Sequence, residues 1–284
     1  RMGLRTSATT RLLRAVFDLR FTMARLTRLP ILGRGVEKAL FDQDDMFYLP
    51  RDRTVSANRA QEIEMGVEVR PENVMLPSQV IDHFLRRSRY IFIMNTCMCR
   101  DASDCHDYPR DLGCIFLGRG TTRISPEMGR HVTVDEAIEH MRKAREKGLV
   151  HLIGRNKIDS VWLSAGPKED LLSICNCCPC CCLWKMLPQL SHGIADSVTR
   201  MPGVEVRVTD RCTGCGRCAD EGWCFVDAIT MQHGHAAIDE RSCRGCGRCA
   251  ERCPSGAVEV TVVDTAFMER AIGRIEPLVD LDAR

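Results

Sequence analysis

Aromatic residues are scarce: nine Phe, three Tyr and three Trp make up 5% of the 284 residues. A chain of this size can build two or three domains, and with so few rings its cores must rest on aliphatic packing and on metal. Long apolar runs are also lacking. None reaches the ~18 residues needed to cross a bilayer, and the basic amino-terminal region has no uninterrupted apolar stretch of the secretion-signal kind. A reducing cytoplasm is the expected location. Net charge is small, +2. There is no G-x4-G-K-[ST] phosphate loop, and the "GRG" stretches at 33–35 and 118–120 are too short to be a dinucleotide fingerprint. No hydrolase triad stands out, and no motif supports a flavin.

The small net charge hides an asymmetry. Residues 1–40 hold nine Lys or Arg and two acids, +7, so the other 244 residues carry −5. At 3.6 residues per turn, residues 9–29 read as a helix with Leu12, Leu13, Val16, Leu19, Met23 and Leu26 on one face. Arg11, Arg14, Arg25 and Arg28 line the other, and Arg20 intrudes on the apolar side. Such a helix packs on its own domain or a partner subunit, or lies on an anionic membrane surface. No nucleic-acid recognition motif accompanies the charge, so no nucleic-acid partner is expected.

What the chain has in excess is cysteine, 18 in all. Secreted disulfide frameworks are one use of so many thiols. The run "ICNCCPCCCLW" at 174–184 argues against it, since neighbouring cysteines strain disulfide geometry. The remaining candidates are metal, metal clusters or thiol redox chemistry.

Residues 72–155 read as mixed α/β. "LPSQVIDHFLRRS" is a helix capped near Ser78, and "YIFIM" at 90–94 is a strand. "TVDEAIEHMRKAREKG" is a helix with a Thr133/Glu136 capping box and a stop at Gly148. Short strands are expected at "LVHLI" and "SVWLS", and the apolar "LLSI" precedes the cysteine run. Strand ends in such a layer can bring distant cysteine groups together. "TRMPG" at 199–203 reads as a linker.

Residues 204–263 contain a repeat. "DRCTGCGRCADEGWCFVDAIT" is followed by "ERSCRGCGRCAERCPSGAVEV", its first cysteine 31 residues after that of the first copy, the second copy spaced C-x2-C-x2-C-x3-C-P. Three thiols in one tight loop can cap three irons of a cubane, but a short loop cannot encircle the cube, and zinc sites typically use pairs spaced C-x2–4-C rather than this C-x2-C-x2-C triplet. This segment resembles the two-cluster bacterial ferredoxins throughout. In that family the fourth ligand comes from the other motif. The resemblance implies one cluster on Cys212, Cys215, Cys218 and Cys253 and another on Cys243, Cys246, Cys249 and Cys224. Gly214, Gly216, Gly245 and Gly247 would let backbone N–H groups turn toward sulfur. The alternation of Val204, Val206, Val208 and of Val258, Val260, Val262 reads as the paired terminal strands. The first copy departs from the pattern. "ADEGW" separates Cys218 from Cys224, and Phe225 replaces the usual proline.

Ten cysteines remain: Cys97, Cys99, Cys105 and Cys114 in "CMCRDASDCHDYPRDLGC", and Cys175, Cys177, Cys178, Cys180, Cys181 and Cys182 downstream. Together with "GLVHLIGRN", these stretches resemble uncharacterised bacterial and archaeal iron–sulfur proteins that carry such a region ahead of a ferredoxin module. Two further cubanes would use eight thiols, as would one cubane and one zinc. The pairs Cys177–Cys178 and Cys181–Cys182 are also similar to the cysteine-rich domains of heterodisulfide-reductase-type proteins, whose clusters are not cubanes; ten thiols could supply two sets of five. The glycine that follows the pair in that family is missing. Consecutive side chains diverge, so the run could serve two centres, with Pro179 stiffening the turn. Cys178, Cys180 or Cys97 would be the spare thiols, open to dithiol–disulfide chemistry or simply buried. His106 is a candidate ligand or a solvated loop histidine, and Arg100 a candidate counter-charge.

The expectation is therefore an α+β protein. It has a basic helical segment at 1–50, a cysteine-rich mixed α/β domain at 51–200 and a ferredoxin-like (βαβ)2 domain at 201–264. A carboxy-terminal helix or tail follows at 265–284. It would bind two 4Fe–4S clusters in the ferredoxin domain and one or two more on the ten upstream thiols. Its role would be to relay electrons between a donor and an oxidoreductase partner, with residues 1–40 docking on that partner or on the membrane face. The competing reading is a reductase whose cysteine-rich centre acts on a substrate.

Overall fold

The computed structural model describes residues 14–56, 76–264 and 266–281. Arg11, Leu12 and Leu13 of the expected first helix, and residues 72–75, lie outside the described residues.

Twelve strands are described: β1 (Asp45–Leu49), β2 (Val55–Ser56), β3 (Ile91–Met94), β4 (Ile115–Leu117), β5 (Gly129–His131), β6 (Val150–Arg155), β7 (Leu172–Cys177), β8 (Val198–Arg200), β9 (Val204–Val208), β10 (Ile229–Gln232), β11 (His235–Ile238) and β12 (Val258–Val262). Seven of them form one sheet in the order β5-β3-β4-β7-β6-β1-β8. Its neighbours run antiparallel except β1 and β8. Every residue of β6 is buried, as a central strand covered on both faces requires. With the helices, this is an α+β fold.

One face of the sheet is covered by the helices Ser78–Arg87, Val134–Glu146 and Phe267–Ile275, through Val80, Ile81, Phe84, Ala137, Met141, Phe267 and Ala271. The helix at 134–146 starts as its sequence dictates. Thr133 accepts from the Glu136 N–H, and the Glu136 carboxylate accepts from the Thr133 N–H. The helix at 78–87 begins differently. Ser78 is its first residue, not its cap, and the Asp52 carboxylate accepts the Ser78 N–H at 3.0 Å.

Two further expectations change. "SVWLS" is not a strand but the end of a helix, Lys157–Trp162. Asn156 caps it by accepting from the Ile158 N–H, and buried Asp159 accepts from Trp162 and Ser173. "TRMPG" is not a free linker. Its first residues lie in β8, and buried Met201 donates its N–H to the Tyr48 carbonyl. The two halves of the chain are thus joined without a flexible break.

The amino-terminal layer is also reorganised. It is a broken series, Phe17–Leu19, Arg20–Leu26, Pro30–Val36 and Glu37–Phe41. The side expected to be buried, Val16, Leu19 and Met23, is exposed, while Phe17, Ala24 and Thr27 are buried. Arg20 folds back over the Phe17 and Phe21 rings, 4.0 and 4.3 Å from their centroids.

The carboxy-terminal module is built on β9 and β12, paired antiparallel with Val204 opposite Val262, Val206 opposite Val260 and Val208 opposite Val258. The hairpin β10–β11 stands beside it. The upstream strand β2 pairs in parallel with β12, completing a three-stranded sheet in the order β2-β12-β9.

Candidate metal centres

The thiols gather into four sets. In the ferredoxin-like module, burial and then the neighbouring Cys253, Cys212 and Cys215 push the Cys218 thiol up. Burial and then Cys246, Cys243 and Cys224 push Cys249 well above its ordinary range. Gly214, Gly216, Gly245 and Gly247 all take positive φ, between 65° and 81°, so each loop can turn its amides inward. Backbone N–H groups already face several sulfurs: Ala236 to Cys212 at 3.4 Å, Ala228 to Cys224 at 3.3 Å, Gly245 to Cys243 at 3.4 Å and Ala257 to Cys253 at 3.2 Å. Amide donors of this kind favour thiolates bound to a cluster. A cavity enclosed by Cys224, Cys243, Cys246 and Cys249 has Phe225 and Arg248 in its wall. The first set reaches the surface, since Cys215 is exposed.

The inserted residues wrap the second set. Trp223 donates to the Arg248 carbonyl at 3.2 Å, and the Arg252 guanidinium sits 4.4 Å from the Trp223 ring. Arg252 also pairs with Asp220 at 2.6 Å. The "ADEGW" insertion therefore forms a cover over the helix Arg248–Arg252.

The ten upstream thiols divide six and four. β7 explains the split. Cys175 and Cys177 share one face of the strand, two residues apart, while Asn176 turns to the other. There Asn176 meets buried His151 at 2.8 Å and donates to the Gly113 carbonyl at 2.8 Å. Burial pulls His151 down to about 3, so it stays neutral. β4 runs beside β7 with Ile115 opposite Ile174, which brings Cys114 against Cys175. Cys114 and Cys175 hydrogen-bond, and Cys177 accepts from Cys175 and then Cys182, which pulls its thiol well below the ordinary range. Cys99 donates to Cys97 and thereby lowers it. These six, Cys97, Cys99, Cys114, Cys175, Cys177 and Cys182, line one apolar cavity of about 580 Å³ with Met94, Phe116, Trp162 and Trp184; Cys178 of the other set also reaches its wall. Val16, Leu19 and Met23 of the amino-terminal layer line it too.

The other four are Cys105, Cys178, Cys180 and Cys181, whose sulfurs all lie within 4.8 Å of one another. Cys178 and Cys180, expected as spare thiols, belong to this tightest group. Cys97 belongs to the six. His106 is far more exposed than any of them and pairs with Asp104 at 3.3 Å, off the thiol sets.

Two buried guanidinium groups run between the sets. Arg100, fully buried, donates to the Asn176 carbonyl at 2.7 Å and to the Leu112 carbonyl, and its charge is felt by Cys97, Cys178 and Cys114. Arg248 donates to the Cys177 carbonyl. The Nε atoms of both, and Nη1 of Arg248, have no oxygen or nitrogen partner. Orphaned cationic donors among buried thiols suit an anionic metal–sulfur group, which would satisfy them.

Tyr48 was not legible as a site residue. Its buried hydroxyl lies 3.8 Å from both Cys177 and Cys182 sulfurs. Its ring is 4.8 Å from Phe225, which adjoins Cys224 in the second ferredoxin set. Nothing in a lone tyrosine after an apolar pair would have signalled this. Arg248 could have been suspected only from its place inside the second C-x2-C-x2-C motif.

A family model described as a 4Fe-4S dicluster domain matches residues 196–257. No curated protein and no solved structure matches the chain. The carboxy-terminal segment is thus a 4Fe–4S ferredoxin-like domain, with the iron–sulfur electron-transfer role that such a domain carries. Among the described residues, no helix is long and apolar enough to cross a membrane.

Proposed function

We propose that the chain is an electron relay in which the ferredoxin-like domain is coupled to a further iron–sulfur centre on the six upstream thiols. Cys212, Cys215, Cys218 and Cys253 would hold one cubane and Cys224, Cys243, Cys246 and Cys249 the other, with the third centre on Cys97, Cys99, Cys114, Cys175, Cys177 and Cys182. Bound there, the clusters supply one-electron transfer. Exposed Cys215 makes the first set the surface port for a redox partner. The observation that carries the reading is the Tyr48–Phe225 contact, which fills the space between the second ferredoxin set and the six thiols. Arg100 and Arg248 offset negative charge in that buried region. Anaerobic purification with iron and sulfide analysis, followed by EPR of the reduced protein, tests this. Two cubanes account for about eight irons; about twelve are expected. A count of about eight, with no third EPR signal, would refute the upstream centre.

The apolar cavity favours a second reading, in which the six-thiol centre passes electrons to a small molecule. About 580 Å³ is the size of a small-molecule site. Adding a disulfide or other reducible apolar compound to the reduced protein should then change the EPR signal of the upstream centre alone. An unchanged spectrum leaves the relay without a substrate of its own.

A further inference from the structure

We infer that Cys105, Cys178, Cys180 and Cys181 form a mononuclear zinc site, separate from every iron–sulfur centre of the chain. The spacing carries the argument. Four thiolates about 2.3 Å from one tetrahedral ion stand about 3.8 Å from each other. Here Cys105 and Cys180 sulfurs are 3.7 Å apart and Cys180 and Cys181 sulfurs 3.5 Å apart, with no pair beyond 4.8 Å. In a cubane each thiolate caps a different iron, so the metal–metal edge is added to the sulfur–sulfur distance. The molecule contains its own comparison. Among the described residues, which include all 18 cysteines, this is the one group of three or more ligand atoms within 4.8 Å. Neither ferredoxin quartet nor any three of the six upstream thiols come so close. The four sulfurs are not bonded to each other.

The surroundings match a closed structural site. Cys105, Cys178 and Cys181 are buried, and Leu112, Ala144, Leu149 and Tyr108 pack around them. The Cys181 N–H donates to the Cys178 sulfur at 3.4 Å across the turn made by Pro179. No carboxylate belongs to the group, and an all-sulfur shell with no open position is what structural zinc takes. The site has a clear mechanical effect. Cys105 lies on the loop between Cys99 and Cys114, and Cys178, Cys180 and Cys181 lie between Cys177 and Cys182. One ion therefore clamps together the two segments that carry the six-thiol set. The zinc site stands whether or not those six thiols bind a cluster.

The test uses the full chain, purified anaerobically from cells supplied with both iron and zinc. About one zinc per chain is expected, and X-ray absorption at the zinc edge should show four sulfurs at about 2.3 Å with no metal neighbour. Cys181→Ser should lose that zinc and keep its iron. If the variant does not fold, the wild-type protein answers instead. Stripping zinc with a chelator should expose Cys105, Cys178, Cys180 and Cys181 to alkylation, mapped by mass spectrometry, and leave the other 14 of 18 cysteines as before. A zinc shell containing nitrogen or oxygen would overturn the inference, as would iron lost from Cys181→Ser or alkylation of other cysteines on zinc removal.

Discussion

Replacing Phe225 by alanine tests how firmly the two halves are joined. Phe225 is 3% exposed, and its ring meets Tyr48 at 4.8 Å. It packs with Val226, Cys177, Cys182 and Trp184 in one apolar cluster. A buried Phe→Ala change costs ~3–5 kcal/mol, the transfer of the ring plus the cavity it leaves. With Tyr48 held by β1 and Trp184 by its own packing, the site cannot collapse far, so about 4 kcal/mol is expected. For a chain of this size each kcal/mol lowers Tm by ~2–4 °C, giving a drop of about 8–16 °C. Phe225→Leu keeps most of the volume and should cost only ~1 kcal/mol. The assay is anaerobic thermal unfolding of the cluster-loaded protein, followed by circular dichroism, with iron measured before and after. Tm should fall in the order wild type, Leu, Ala while iron content before heating stays constant. An alanine variant that keeps its iron and melts within about 3 °C of wild type would refute the claim that the halves are packed through this ring.

Asp44 makes stability depend on pH. Burial pushes its carboxyl from 3.8 up to about 7, against the Lys157 N–H that it accepts, and its Oδ2 has no partner. Below pH 4 the group is neutral whether the chain is folded or not, and costs nothing. Between about pH 4 and 7 the unfolded chain ionises first, so native stability is lost progressively, up to about 4 kcal/mol above pH 7. Asp44→Asn should therefore raise Tm at pH 8 and leave it little changed at pH 4; equal effects at both would contradict the assignment. Thr133→Ala should cost ~0.5–2 kcal/mol by removing half of a capping box, read as a shift in denaturant midpoint with iron content unchanged. Arg248→Met removes a buried positive charge from between two thiol sets. Redox titration should show the potential of the second ferredoxin cluster moving to more negative values; a positive shift would mean the guanidinium does not stabilise the reduced state. Gly247→Ala places a Cβ 2.2 Å from the Thr54 hydroxyl at a φ of +81°. It should destabilise the protein by more than the same change at Gly216, where the Cβ would meet nothing within 4 Å.

The parts that were legible in the sequence are those governed by local repetition. Alternating valines announced β9 and β12 and their pairing, and a threonine three residues before a glutamate announced the helix at 134–146. "SVWLS" was misread because a short apolar run, here Val161 to Leu163, fits a strand or a buried helix equally well; Asn156 as a cap and Asp159 as an internal acceptor decided it. The helix face of Val16, Leu19 and Met23 was periodic yet is left partly exposed along the six-thiol cavity, while Phe17, Ala24 and Thr27 are buried and Arg20 lies over the Phe17 and Phe21 rings. The division of ten thiols into six and four could not be read at all. It depends on which face of β7 carries Cys175 and Cys177 and on the neighbouring place of β4, both of which are long-range facts. Tyr48 likewise gains its position from β1 being paired between β6 and β8.

The pairing of β2 with β12 has a consequence for modularity. A segment cut out at 201–264 would hold all eight ferredoxin cysteines but would leave one side of β12 as a bare edge, its backbone groups free to pair with another molecule. Ferredoxin repeats are natural candidates for grafting into new electron chains. In this protein the graft has taken root: the module borrows a strand made some 200 residues earlier, so transplanting it calls for a designed substitute for Val55–Ser56 or a charged residue on the uncovered side of β12 to keep copies apart.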